Sequence, residues 1–324
     1  MDTETASTTQ RYAKVIDASR RVAWQIDRDL IRGRAFDMSR KFLPDGLSLV
    51  GELPFLRVDD ARLFSQVQGR TYAYLFGLVE RFISAKMVEV GRDHALGDQN
   101  AFEAVVRFTD EELKHQALFR RIEQMMALQM GGPYTCTADP TAVAAAVLGK
   151  STWAVLGLTT HIELFVLAHY RCSIDAAGEI DPLWKDVFRF HWRDEAQHVV
   201  IDDLEWRRED ATLTDAARDA AVDDLIALVC AVDGILQMQA QADAACFVAM
   251  AGTAFDADAR RRIDDTMLKA YRWQYIVSGV MEPRFQKTLF ALVSPAQRAR
   301  IEAAMGPLGY AVPDEPTMAL PMAA

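Results

Sequence analysis

An all-α fold is what this sequence predicts, and three observations predict it. Apolar residues recur three and four apart over long stretches. Glycine (17) and proline (11) are scarce in 324 residues and gather at a few breaks. No stretch alternates apolar and polar residues for long enough to read as a strand.

In chain order, helices are expected at about 8–33, 58–92, 98–130, 140–177, 182–209, 213–251 and 257–293. Residues 36–55 carry Pro44, Asp45, Gly46, Gly51 and Pro54 and are expected to form a loop. Gly131, Gly132 and Pro133 end one helix and open a connection that lasts to Pro140. Gly178 ends another, and Asp181-Pro182 starts the next as a cap followed by proline in the first turn. Further breaks fall at 212–214 and 252–256. The stretch 210–258 is rich in Ala and Asp, yet Leu225, Leu228, Val229, Val232 and Leu236 keep a helical spacing, so it reads as helix. Beyond Pro307 an irregular tail is expected. No linker marks a boundary, so 1–324 reads as a single domain. Its bundle lies at about 58–209 and its accessory helices at about 8–33 and 213–293.

Composition narrows the function. Apolar residues make up 51% of the chain, enough for a sizeable core, and charged residues 25%. A net charge of −10 argues against a nucleic-acid partner or an anionic membrane surface. The opening MDTETASTTQRYAK has no basic segment followed by an apolar one, so no secretory signal and a cytoplasmic location are expected. Cys136, Cys172, Cys230 and Cys246 form no CxxC pair and read as free thiols. The most apolar stretch, 153–167, holds Thr159, Thr160, His161 and Glu163 in its middle. It therefore reads as a buried helix, not a membrane span.

Two segments carry the chemistry. Asp110-Glu111-Glu112-Leu113-Lys114-His115 and Asp194-Glu195-Ala196-Gln197-His198 each contain Glu-x-x-His, which places a carboxylate and an imidazole one helical turn apart on one face. A lone pair of this kind is usually a solvated surface feature. Here each has an acid upstream at the same distance: Glu80 precedes Glu112 by 32 residues, and Glu163 precedes Glu195 by 32. The two halves thus repeat, a helix with one Glu and then a helix with Glu-x-x-His. Both upstream acids sit in apolar runs, Tyr74 to Ile83 and Ile162 to Leu167. A buried carboxylate there must be paired, protonated or metal-bound. Arg81 and Arg171 are the nearest candidate partners, and neither lies one turn from its Glu.

Charge points to two metals. Four carboxylates balance two divalent cations, and a mixed nitrogen and oxygen set suits iron or manganese, alone or mixed, better than zinc. Asp194 is expected to orient His115, and Glu111 to orient His198, by accepting the far ring N–H. His191 lies four residues before Glu195 and seven before His198, on the same stripe, and is a candidate seventh ligand beside the bland reading of a core histidine. His94, His161 and His169 lie off the stripes and read as structural or surface residues.

The six residues Glu80, Glu112, His115, Glu163, Glu195 and His198 resemble the ligand pattern of the ferritin-like dimetal carboxylate proteins. With His191 added, the set resembles the arylamine (p-aminobenzoate-type) N-oxygenases, ferritin-like di-iron enzymes that oxidise aromatic amines towards nitro compounds. In that family a third histidine precedes the second Glu-x-x-His by one turn, as His191 does. The resemblance covers about residues 58–205. It implies a ferritin-like four-helix bundle with added N- and C-terminal helices. It also implies two iron ions held by these seven catalytic residues, dioxygen as co-substrate, a small-molecule substrate and a homodimer. No flavin or iron–sulfur signature is present, so electrons must come from an external donor, a reductase or ferredoxin-like protein or a small reductant. Phe76, Phe108, Thr159 and Phe188 on one side, and Ser84, Phe119 and Leu167 on the other, are expected to line the substrate cavity. The rival readings are a di-iron C-hydroxylase or desaturase, a ferroxidase or iron-storage subunit, and a metal-free helical interaction protein. The chain carries more helices than a storage bundle needs.

Overall fold

The computed structural model describes residues 3–314. Helices follow one another as α1 (Thr3–Arg21), α2 (Asp45–Ser48), α3 (Val58–Gly91), α4 (Gln99–Met130), α5 (Pro140–Leu148), α6 (Thr152–His169), α7 (Pro182–Asp210), α8 (Asp215–Met250), α9 (Ala257–Arg272), α10 (Ser278–Val280), α11 (Pro283–Leu292) and α12 (Pro295–Met305). Among the described residues there is no strand, only an isolated bridge between Lys41 and Ile180. The fold is all-α.

Four helices close a ring: α3 packs on α4, α4 on α7, α7 on α6, and α6 on α3. Short connections join α3 to α4 and α6 to α7, so each pair runs antiparallel. The other helices wrap this ring. The helix α1 lies on α4 and α7, α5 on α3, α8 on α3 and α6, and α11 on α6 and α7. The helix α6 is covered on every side, so all its residues from Trp153 to His169 are buried. This is why its sequence is apolar all round rather than striped. No helix of the chain is long and apolar enough to cross a membrane. The four cysteines are free thiols.

Two close approaches tighten the packing on the ring helices. A side chain at Gly157 would place its Cβ 2.8 Å from Trp206 of α7, and one at Gly69 would meet Phe42 at 2.6 Å. Glycine at these points lets each aromatic ring pack directly on backbone. Phe42 in turn stacks on Trp184 at 5.2 Å, which fixes the 36–44 segment over α3 and α7. Asp181 completes that join: its carboxylate accepts from Trp184 N as the cap of α7 and from Asp37 N across the loop.

The sequence boundaries need five corrections. The helix expected over 8–33 stops at Arg21, and Gln25 is extended before a π turn at Ile26–Ile31. Neither Gly nor Pro marks this break; the Trp24 indole is drawn inward to Asp194 instead. The helix expected over 140–177 divides at 149–151, where Asp224 of α8 takes Ser151 N and Lys150 Nζ, and its end is a π turn at Tyr170–Ile174. The accessory stretch 213–293 is not one run of two helices. A π turn at Trp273–Val277 and a break before Pro283 cut it, and that proline stands at the first turn of α11. The expected loop 36–55 holds α2 and a 3-10 turn at Val50–Glu52. Beyond α12, which was not anticipated, Gly306–Ala311 is a 3-10 turn and not irregular. Residues 315–324 of the expected tail lie outside the described residues.

His169 of α6 ties three helices together. Ser278 Oγ donates to Gln274 O and so accepts from His169 Nε2, at 2.9 Å, which leaves Nδ1 to accept from Tyr72 Oη at 2.7 Å. Burial pushes this imidazole down to about 3. The native state therefore keeps it neutral, while the unfolded chain protonates it below its ordinary value of about 6.5. Stability from this group is complete above that value and is lost as pH falls, at up to about 1.4 kcal/mol per unit. Urea unfolding at pH 7 and pH 5 is expected to show a loss about 2 kcal/mol larger for the wild type than for His169→Gln. Equal losses would refute the assignment.

Candidate metal centre

The ring of helices brings all seven expected site residues to one locus. Glu80 comes from α3, Glu112 and His115 from α4, Glu163 from α6, and His191, Glu195 and His198 from α7, and every one is buried. Their polar atoms form two overlapping groups, Glu80–His115–His191–Glu195 and Glu112–His115–Glu195–His198, within each of which the atoms lie within 4.8 Å of one another. His115 and Glu195 belong to both. Glu163 stands against Glu195 and closes the set from α6.

The distances have a particular character. His198 Nδ1 lies 2.9 Å from Glu112 Oε1 and 2.6 Å from Glu195 Oε2, and His115 Nδ1 lies 3.1 Å from Glu195 Oε1 and 3.7 Å from Glu80 Oε2. Yet Glu80 Oε2, both oxygens of Glu112, Glu195 Oε2 and the Nδ1 atoms of His115 and His198 make no hydrogen bond. Atoms this close that do not point along hydrogen bonds are suited to a cation between them instead. Orphaned buried polar atoms are costly, and a cation held within either group would satisfy several of them at once. The buried Glu and His groups are therefore able to hold a metal ion.

The outer contacts fix the imidazoles. His115 Nε2 donates to Asp194 Oδ2 at 2.9 Å, and His198 Nε2 to Glu111 Oε2 at 2.9 Å. These are the two orienting pairs that the sequence suggested. With the proton held on Nε2, each ring presents its Nδ1 lone pair to the cluster. Glu111 is itself held by Ser19 Oγ at 2.7 Å. His191 is oriented differently. Its Nε2 donates to Glu80 Oε1 at 3.0 Å and lies 2.5 Å from Glu195 Oε1. Its Nδ1 has no partner, and the rings of Phe119 and Phe76, with centroids at 5.0 and 5.5 Å, hold it in place.

Electrostatics follow from crowding. Burial and Glu112 push the Glu80 carboxyl up to about 8, and burial and Glu195 raise Glu163 well above the carboxylate range. Burial acts the same way on Glu195, but His191, His198 and His115 outweigh it and hold that acid well below its usual value. His115 and His198 are raised well above theirs, because the surrounding acids outweigh burial. The locus as a whole demands positive charge.

The remaining expectations divide. Phe76, Phe119 and Phe188 surround His191, and Phe108 stacks on His198 at 3.9 Å. All four pack against the imidazoles, and Phe119 also lines a cavity of about 200 Å³ between α3 and α4. Ser84 Oγ is bonded back to Glu80 O, Thr159 Oγ1 has no partner, and Leu167 is buried. His94, His161 and His169 are all buried and structural: His94 bonds Glu205 and His161 bonds Ile276 O.

Sequence reading missed Asp202. It lies four residues after His198 on the same face of α7, fully buried, with neither oxygen hydrogen-bonded. The helical spacing could have found it. It also missed Trp24, which no spacing relates to the motif. No family model matches the sequence, and no curated protein matches it significantly.

Proposed function

We propose that this protein is a ferritin-like non-haem di-iron oxygenase that uses dioxygen to oxidise a small organic substrate, an aromatic amine attacked at nitrogen. One observation carries the reading: four acids and three imidazoles converge on a buried locus with six facing atoms free of hydrogen bonds. Two ferrous ions held there would together supply the two electrons that dioxygen must take up. The chain does the rest. Asp194 and Glu111 hold a proton on Nε2 of His115 and His198, so that Nδ1 is the nitrogen a metal would take, displacing its proton. The Phe76, Phe108, Phe119 and Phe188 rings exclude water from the locus. His191, with Nε2 turned inward, favours the amine-oxidising subgroup, since a third histidine as seventh ligand is that subgroup's distinguishing feature. The cavity bounded by Tyr74, Gly77 and Phe119 has room for a single aromatic ring within one side chain of His191.

A second reading, oxidation of a hydrocarbon by hydroxylation or desaturation, is favoured by a different feature. A cavity of about 100 Å³ between α3, α5, α6 and α8 is walled by apolar side chains such as Leu78, Phe82, Ile162 and Phe165. The test is to load the protein with iron, reduce it, and expose it to ¹⁸O₂ with a panel of aromatic amines and hydrocarbons. Amine products carrying the label are expected. Labelled hydrocarbon products alone would select the second reading, and iron oxidation without any organic product would select iron handling.

A further inference from the structure

We propose that electrons enter through Trp24, and that the surface around it docks an acidic one-electron carrier protein of the ferredoxin type. This rests on the di-iron reading above.

A polar connection runs from the cluster toward this face of the protein. Trp24 Nε1 donates to Asp194 Oδ2 at 2.9 Å, and His115 Nε2 donates to the same oxygen at 2.9 Å. The indole and imidazole rings are nearly parallel, 18° apart, with centroids at 6.3 Å. Beyond His115 lies Nδ1, which faces the candidate metals. Trp24 itself is 7% exposed and forms part of the wall of an open surface depression. Two hydrogen bonds therefore separate this edge of the protein from an imidazole of the centre. The local fold is organised around this contact: the break after Arg21 and the extended Gln25 turn Trp24 inward, where Phe190 packs edge-on at 5.3 Å and Lys114 Nζ lies 4.3 Å over the indole.

The depression is basic on a chain whose net charge is −10. Arg21, Arg28, Arg32 and Arg193 line it, against a single acid, Asp29, which Arg28 already binds. Arg21 and Arg193 pair with no acid among the described residues, and Arg193 lies over Phe190 instead. Nearby Asp186 is shared by Arg32, Arg34 and Arg189. An acidic protein is thus repelled by the chain as a whole and attracted here, which sets both encounter and orientation. A substrate bound at this depression would be separated from the centre by Trp24, Asp194 and His115, whereas an electron would not.

The electron count closes. Each reduced carrier is oxidised by one electron, and two such transfers reduce the metal pair by two. With one dioxygen and two protons, these electrons leave one oxygen atom in the substrate and one in water.

The probe is a strongly acidic plant-type [2Fe–2S] ferredoxin. Its binding to the full chain, metal-free and iron-loaded, is expected to weaken with salt and to weaken about tenfold or more in Arg21→Glu/Arg193→Glu. Trp24→Phe keeps a ring in place but removes the N–H. It should bind ferredoxin like the wild type and retain its iron, yet its oxidised centre should be reduced by ferredoxin about tenfold more slowly or worse, followed by loss of the iron absorption. Reduced methyl viologen, a small cation, should reduce wild type and Trp24→Phe at equal rates. Charge reversal without effect on binding overturns the docking face. Ferredoxin reduction of Trp24→Phe at the wild-type rate overturns the entry route. A chain that takes up no iron overturns the underlying reading and this proposal with it, and metal analysis distinguishes that case from the other two.

Discussion

Replacing Glu112 by glutamine is expected to strip metal from the protein while leaving the metal-free fold about as stable as before. The two halves of that result test different physics. Glu112 is 0% exposed, and neither of its oxygens is hydrogen-bonded, although His198 Nδ1 stands 2.9 Å away and His115 Nδ1 3.6 Å away. If the acid served as a structural partner of these imidazoles, removing its charge would leave buried counter-charges behind and cost about 3–5 kcal/mol. If it serves as a ligand, its charge in the metal-free state is one of four acids crowded in a space that burial already penalises. Loss of that charge should then change the stability of the chelated protein by no more than about 1 kcal/mol. Glutamine keeps the shape, so packing is not the variable. Metal analysis is expected to fall from two ions per chain to one or none. Unchanged metal content together with a large loss of stability would assign the cluster to structure alone.

The site was more legible in the sequence than the boundaries of its helices. Glu80, Glu112, Glu163 and Glu195 announce themselves because a helix converts spacing into a shared face, and because the pattern is written twice. The pairs Asp194–His115 and Glu111–His198 follow by the same rule, since each acid precedes a site Glu and so points toward the neighbouring helix. Asp202 follows from the shared-face rule instead, one turn beyond His198. Trp24 is different in kind. Its role depends on α1 docking against α4 and α7, a tertiary fact with no trace in local spacing. The same cause explains the misplaced helix end at Arg21. Nothing in Val22-Ala23-Trp24-Gln25 breaks a helix by propensity; the chain breaks because an indole and an acid from α7 find each other. The division at 149–151 has a similar origin in Asp224 of α8. The break before Pro283, by contrast, was there to be read from the proline itself.

Asp194→Asn should move stability and metal affinity in the same direction, downward, and this separates it from Glu112→Gln. One oxygen of Asp194 accepts from His115 Nε2, Trp24 Nε1 and Lys114 Nζ, the last at 2.7 Å. Burial would raise this carboxyl, but the bonds and charges of His115 and Lys114 outweigh it and hold it below its usual range, so the native state relies on the ionised form. An asparagine carries no charge for Lys114; its carbonyl oxygen can take the place of Oδ2, and its NH₂ group meets the three donors only when the amide is turned over. The lost charge-assisted bonds are expected to cost about 2–4 kcal/mol in the metal-free protein, measured by urea unfolding. The second effect is on tautomer. If the amide donates to His115 Nε2, the ring proton moves to Nδ1 and masks the lone pair that faces the cluster. Iron affinity measured against a competing chelator should then fall about 10–100-fold. Glu111→Gln is the internal control: its side chain is 12% exposed, and water can replace what the amide fails to accept, so the loss there should be smaller on both counts. An Asp194→Asn protein with full stability and full affinity would mean that the His115 ring is held by packing alone. The carboxylate between Trp24 and the cluster would then have no part in presenting it.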